Sequence, residues 1–212
     1  MEEQKAIQTV KDNYEKQNTY RVLKGRYNKA VREGFFFEAL IIVYALMEDR
    51  LRSFIYYIGG INKHTSTKMD TGKKIKTNLR NIYYGSAEEA DGKSLSLNVI
   101  SNKVKLIEKV VEWVIETEGV PEDFYLQILK KELEGIDLDG MQQILEGIQS
   151  WLVFRNEIMH ALMNKDADAV YTQLYGKVEE GMKYVDFLDG QVKALRRSKA
   201  IRKKMKLGTE YK

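Results

Sequence analysis

Arg155, Asn156 and His160 fall within six residues of one another in the run Arg155-Asn156-Glu157-Ile158-Met159-His160. A guanidinium offers a planar fork of donors to an anionic oxygen, and an imidazole exchanges a proton near neutrality, so the pair suits chemistry at a negatively charged centre. Their placement is unusual for structural residues. At 100° per residue, Trp151, Phe154, Ile158, Ala161 and Leu162 form one apolar arc, extended by Leu152 and Met159, and Arg155 lies inside it. A charge there must be paired, or must line a cleft or a subunit interface. Asn156 and His160 lie on the adjoining polar side, His160 about 140° round from Arg155, so the two flank a groove rather than stack.

A second helical segment repeats the anomaly. The apolar surface through Phe36, Ala39, Leu40, Val43, Leu46, Met47 and Phe54 has Arg50 projecting into it, while Glu48 sits beside Phe37, Ile41 and Ile55 and Asp49 falls on the polar side. The pattern predicts a shared polar cluster in which Glu48 holds Arg155 or Arg50 by a charge-assisted pair. Geometry alone leaves open an ion pair that only fixes helix register.

The elements that position these residues read as helical throughout. Apolar residues recur at three- and four-residue spacing, period-two alternation is nearly absent, and Pro121 is the only proline. Seven helices are predicted, over residues 2–32, 35–58, 71–84, 96–118, 121–134, 138–164 and 167–206, in an all-α bundle. Gly34, Gly59-Gly60, Gly85, Asp91-Gly92, Gly119 and Gly135 supply the breaks. Residues 59–71 and 85–95 read as exposed loops. One domain is expected over residues 1–192, followed by a basic extension over 193–212.

That extension carries nine Lys and Arg against one Glu, whereas the chain as a whole has a net charge of +4. Arg196, Arg197, Arg202, Lys203 and Lys204 are the candidates for phosphate-backbone contacts; a solvated helix end is the alternative. With no cysteine and only two histidines, His64 and His160, the chain cannot build a conventional zinc site, and no metal or cofactor is expected. Met-Glu-Glu-Gln-Lys at the start is unlike a signal peptide, and the apolar run Phe35 to Met47 is too short to span a bilayer. These features predict a soluble, cytoplasmic protein without membrane contact.

The Arg155 to His160 run resembles the motif of HEPN domains: an arginine, a polar residue directly after it, and a histidine separated from the arginine by four to six residues. The spacer here is four residues and the polar residue is Asn156. The resemblance extends over about residues 35–165. It implies a helical bundle that pairs about a two-fold axis and brings two motifs into one cleft, where many such domains cleave RNA without a metal. In that chemistry the 2′-OH attacks the neighbouring phosphate, which needs a proton acceptor, a donor and stabilisation of an anionic phosphorane. Arg155, His160 and Asn156 are then the catalytic set, with Glu48, Arg50 and Glu157 supporting. The resemblance further implies an endoribonuclease acting as a toxin or phage-defence effector, with RNA as partner, a homodimer as the particle and an antitoxin or regulatory protein as a possible ligand. The alternative it allows is a non-catalytic HEPN-like module that binds a partner protein or nucleotide.

Other signals are weaker. Gly72-Lys73-Lys74 lacks the spacing of a P-loop and reads as a helix start with a solvated basic face. Asp137-Leu138-Asp139-Gly140 reads as helix capping, His64 as a surface residue, and the paired tyrosines Tyr56-Tyr57 and Tyr83-Tyr84 as bundle rim.

Overall fold

A computed structural model describes residues 13–63, 65–161 and 167–208. Among these, nine helical segments are found: α1 (Asn13–Arg32), α2 (Phe36–Tyr57), α3 (Lys73–Tyr84), α4 (Ala87–Ala90), α5 (Ile100–Glu116), α6 (Phe124–Leu133), α7 (Leu138–Ala161), α8 (Ala167–Ser198) and α9 (Ala200–Lys204). The all-α expectation holds, and no helix among the described residues is long and apolar enough to cross a membrane.

The centre of the bundle is α2, and its sequence says why. In its last turn, Phe54 to Tyr57, it is apolar on every side, and Phe54, Ile55, Tyr56 and Tyr57 are all buried. A helix apolar all round is stable only when enclosed. Its main partner is α8, whose buried residues Val170, Leu174, Val178, Met182, Val185, Leu188, Val192 and Leu195 recur every three or four positions and form one stripe. α1 and α5 cover other faces of α2, and α7 packs between α5 and α8. Gly181 lets α8 approach closely, because a Cβ there would lie 2.7 Å from both Trp151 Nε1 and Val43 Cγ1.

Two predicted elements differ. The stretch 85–95 contains the single turn α4, capped by Ser86, whose Oγ accepts from Glu89 N at 3.1 Å. The long last helix stops at Ser198, where Lys199 takes a left-handed conformation (φ 49°) and Ser198 Oγ accepts from Ala200 N at 3.0 Å. The turn redirects α9 against α6, and Ile201 and Leu207 close over Gly59. Asp137 caps α7 as expected, its Oδ1 accepting from Gly140 N at 2.9 Å. His64, residues 2–12 of the first predicted helix and residues 162–164 of the sixth lie outside the described residues.

Candidate functional site

The Arg155 motif occupies the last turns of α7, and Trp151 fixes that end of the helix. The Trp151 ring is fully buried and its Nε1 donates to Lys177 O of α8 at 2.7 Å. One turn on, Arg155 is half-buried with its guanidinium carbon 4.5 Å from the centroid of the Tyr44 ring on α2. A guanidinium over an aromatic face gains electrostatically and keeps its in-plane N–H groups free for other partners. Arg155 Nη1 donates to Asn156 Oδ1 at 3.1 Å, and among the described residues no carboxylate forms an ion pair with it. Asn156, Glu157 and His160 are exposed. Asn156 borders an open groove of about 500 Å³ between α5 and α7, together with Lys105 and Gln149. On α7 beside and within the motif, Val153 and Met159 are large apolar side chains left in solvent, at 59% and 36% exposure.

The predicted Glu48 cluster is corrected. Glu48 holds neither Arg155 nor Arg50; its Oε1 accepts from Lys103 Nζ at 3.0 Å and from Arg52 Nε at 3.2 Å. Lys103 lies wholly inside the bundle, on the apolar face of α5 with Ile100, Val104 and Ile107. Burial lowers its pKa, and Glu48 opposes that shift. Arg50 belongs to a different network: it is paired with Asp49, and its Nη1 donates to Asp189 Oδ1 of α8 at 2.7 Å. Its guanidinium carbon sits 4.7 Å from the centroid of the Tyr20 ring of α1. Burial pushes the Asp189 carboxyl up, but Lys193 and Arg50 outweigh it and hold the pKa below its ordinary value. The three charges predicted to converge therefore lie apart: Glu48 pairs with Lys103 and Arg52, Arg50 with Asp49 and Asp189, and Arg155 stacks on Tyr44.

That second network lines a cleft of about 360 Å³ between α1, α2 and α8, with Lys16, Tyr20, Arg50, Asp189, Lys193 and Arg196 in its walls. Lys16 Nζ meets Asp49 Oδ1 at 2.6 Å, and Lys193 Nζ meets Asp189 Oδ2 at 2.6 Å. Burial lowers the Lys16 pKa to about 8, against the pull of Asp49.

The basic tail divides. Arg202, expected to meet phosphate, is 1% exposed. Its Nη1 donates to Tyr56 O at 2.8 Å and Ile61 O at 3.0 Å, its Nε donates to Gly208 O at 2.5 Å, and its guanidinium carbon lies 3.6 Å from the Tyr56 ring centroid. It closes the C-terminal end of α2, where carbonyls lack intrahelical partners and a cation is favoured. Burial lowers its pKa. Arg197, Lys203 and Lys204 are exposed, and Arg196 is half-buried.

Sequence reasoning missed Tyr44, Lys103 and Asp189. Lys103 and Asp189 carried a usable signal, since each is a charge inside an apolar stripe, as Arg155 is. Tyr44 carried none, because an aromatic on an apolar helix reads as core. No protein-family model, curated protein or solved structure matches the chain.

Proposed function

We propose that the chain is an endoribonuclease of HEPN type that cleaves RNA by internal 2′-OH attack, with Arg155, Asn156 and His160 as the reacting set. The observation that carries this reading is the state of Arg155. Its guanidinium is anchored by stacking on Tyr44 rather than neutralised by a carboxylate among the described residues, and it lies beside an exposed Asn156 and His160. A cation whose position is fixed but whose charge is not spent is suited to an incoming anion. Arg155 would donate to the non-bridging phosphate oxygens, His160 would transfer a proton, and Asn156 would orient the phosphate or the ribose. One motif supplies a single imidazole, so acid and base together call for two copies. The exposed Val153 and Met159 beside and within the motif support self-association at this end of α7, and a homodimer is the proposed particle. A role as a toxin or phage-defence effector in the cytoplasm belongs to the same proposal.

Purified wild type and the His160→Ala variant incubated with total RNA in EDTA test it. Cleavage by the wild type alone is expected. Equal inertness of both, with RNA still bound, would favour the non-catalytic binding module instead.

A further inference from the structure

The groove between α3 and the segments carrying Lys68 and Lys93 differs from every other cleft described above in its charge balance. It has a volume of about 360 Å³, and Lys68, Lys73, Lys76, Arg80 and Lys93 line it without a single acidic residue. In the α1–α2–α8 cleft, Asp49 and Asp189 answer the cations Lys16, Arg50 and Lys193. Here only Lys93 has an acidic partner among the described residues, Glu89 at 3.4 Å on an exposed turn.

The groove is a built feature. One wall is α3, on which Lys73, Lys76 and Arg80 follow one another along a single face, in axial steps of about 4.5 and 6 Å. The opposite wall is pinned by the Lys68–Ser96 bridge and by Leu97 N donating to Thr67 O at 2.8 Å. Arg80 Nη1 donates to Lys93 O at 3.3 Å and Tyr84 OH to Ser94 O at 3.0 Å, which ties the two walls together. The Nε–H of Arg80 is buried and has no hydrogen-bond partner among the described residues. Like charges held along one concave surface repel one another, and a polyanion entering the groove offsets that cost. None of the large exposed apolar side chains among the described residues lines the groove, which makes it unlike a surface that inserts into a bilayer.

We infer that the α3 groove seats the phosphodiester backbone of the RNA, at a contact separate from Arg155 and His160. The inference rests on the reading that the chain acts on RNA, but not on cleavage. Such a contact confers affinity and orientation without sequence preference, because it meets phosphates and not base edges.

Lys68, Lys73 and Lys76 are exposed, so replacing all three by Gln removes charge without disturbing the core. Fluorescence anisotropy with a labelled single-stranded RNA, 2′-O-methylated throughout to prevent cutting, would compare the wild type, this triple Gln variant, a triple Arg variant and Lys203→Gln/Lys204→Gln. The triple Gln variant should weaken binding about tenfold or more and lower the slope of log K against log salt by about 2, while triple Arg keeps both. Unchanged affinity and slope in the triple Gln variant would overturn the inference. So would a wild type that binds no RNA at 50 mM salt, or one from which vesicles of phosphatidylglycerol displace the RNA. Binding that needs the three lysines together with absent cleavage would sink the nuclease reading and leave this contact standing.

Discussion

Substituting Glu48 by Ala strands the ammonium of Lys103, whose side chain is 1% exposed and whose Nζ lies 3.0 Å from Glu48 Oε1. Breaking one partner out of a fully buried pair typically costs about 3–5 kcal/mol. Glu48 itself is 28% exposed, so water partly fills its place and the loss should be nearer about 2–3 kcal/mol. For a chain of this length each kcal/mol moves Tm by about 2–4 °C, which gives a fall of about 5–10 °C in a calorimetric or circular-dichroism melt at pH 7. Adding Lys103→Met should recover most of it, because the uncompensated charge is then gone. The loss should also narrow toward pH 9.5. Lys103 already has a lowered pKa in the folded protein, and without Glu48 it falls further. The variant's folded state then binds fewer protons than its unfolded state, and its stability rises with pH. A Glu48→Ala protein that melts within 1 °C of wild type, with no rescue by Lys103→Met, would refute the pairing. Because Glu48 does not touch Arg155, the folded variant should keep its cleavage rate at 20 °C.

Arg155→Ala and His160→Ala should each slow cleavage by about a hundred- to ten-thousand-fold while leaving Tm within a degree or two, measured as single-turnover rates on a labelled RNA. Tyr44→Leu removes the ring under the guanidinium and should slow cleavage less than Arg155→Ala, about tenfold, since the cation remains but is less well held. Arg202→Ala removes the side-chain donor to the Tyr56, Ile61 and Gly208 carbonyls and should cost about 3 kcal/mol, whereas Lys203→Ala and Lys204→Ala should stay within about 0.5 kcal/mol in the same denaturant titration. Lys16 has a folded pKa of about 8, below its ordinary value of 10.5, so the folded state releases its proton first. Its contribution to stability should rise between pH 8 and pH 10, and urea titrations across that window should lose this rise in Lys16→Met. Light scattering should give a dimer at micromolar concentration, and Val153→Glu should give a monomer that no longer cleaves.

Helices and their ends were legible because their causes are local. The apolar periods of α2, α5 and α8 identify their buried faces, and glycines with positive φ such as Gly85 mark their ends. The break at Lys199 was not, since it depends on α9 finding α6 and on Arg202 finding the end of α2, contacts that join residues 67 or more positions apart in the first case and 146 in the second. Charge placement followed the same division. That Arg155, Arg50 and Glu48 sit in unusual surroundings is a property of their own helices. Which partner satisfies each is set by how helices cross, and Lys103, Asp189 and Tyr44 come from elements that no periodicity assigns to one another. The α3 groove was hidden for a related reason. Gly72-Lys73-Lys74 reads as a helix start with a solvated basic face until Lys68 and Lys93 are brought opposite Lys73 and Lys76.

The most direct test of the central claim is the chemistry of the ends. An RNA that the wild type cuts, digested in EDTA, should yield 2′,3′-cyclic phosphate and 5′-hydroxyl termini by mass spectrometry. The same RNA carrying a single 2′-O-methyl group on the ribose that supplies the attacking oxygen should stay intact at that position. Cutting that persists at the methylated position, or fragments with 5′-phosphate termini, would contradict attack by the internal 2′-OH at Arg155 and His160.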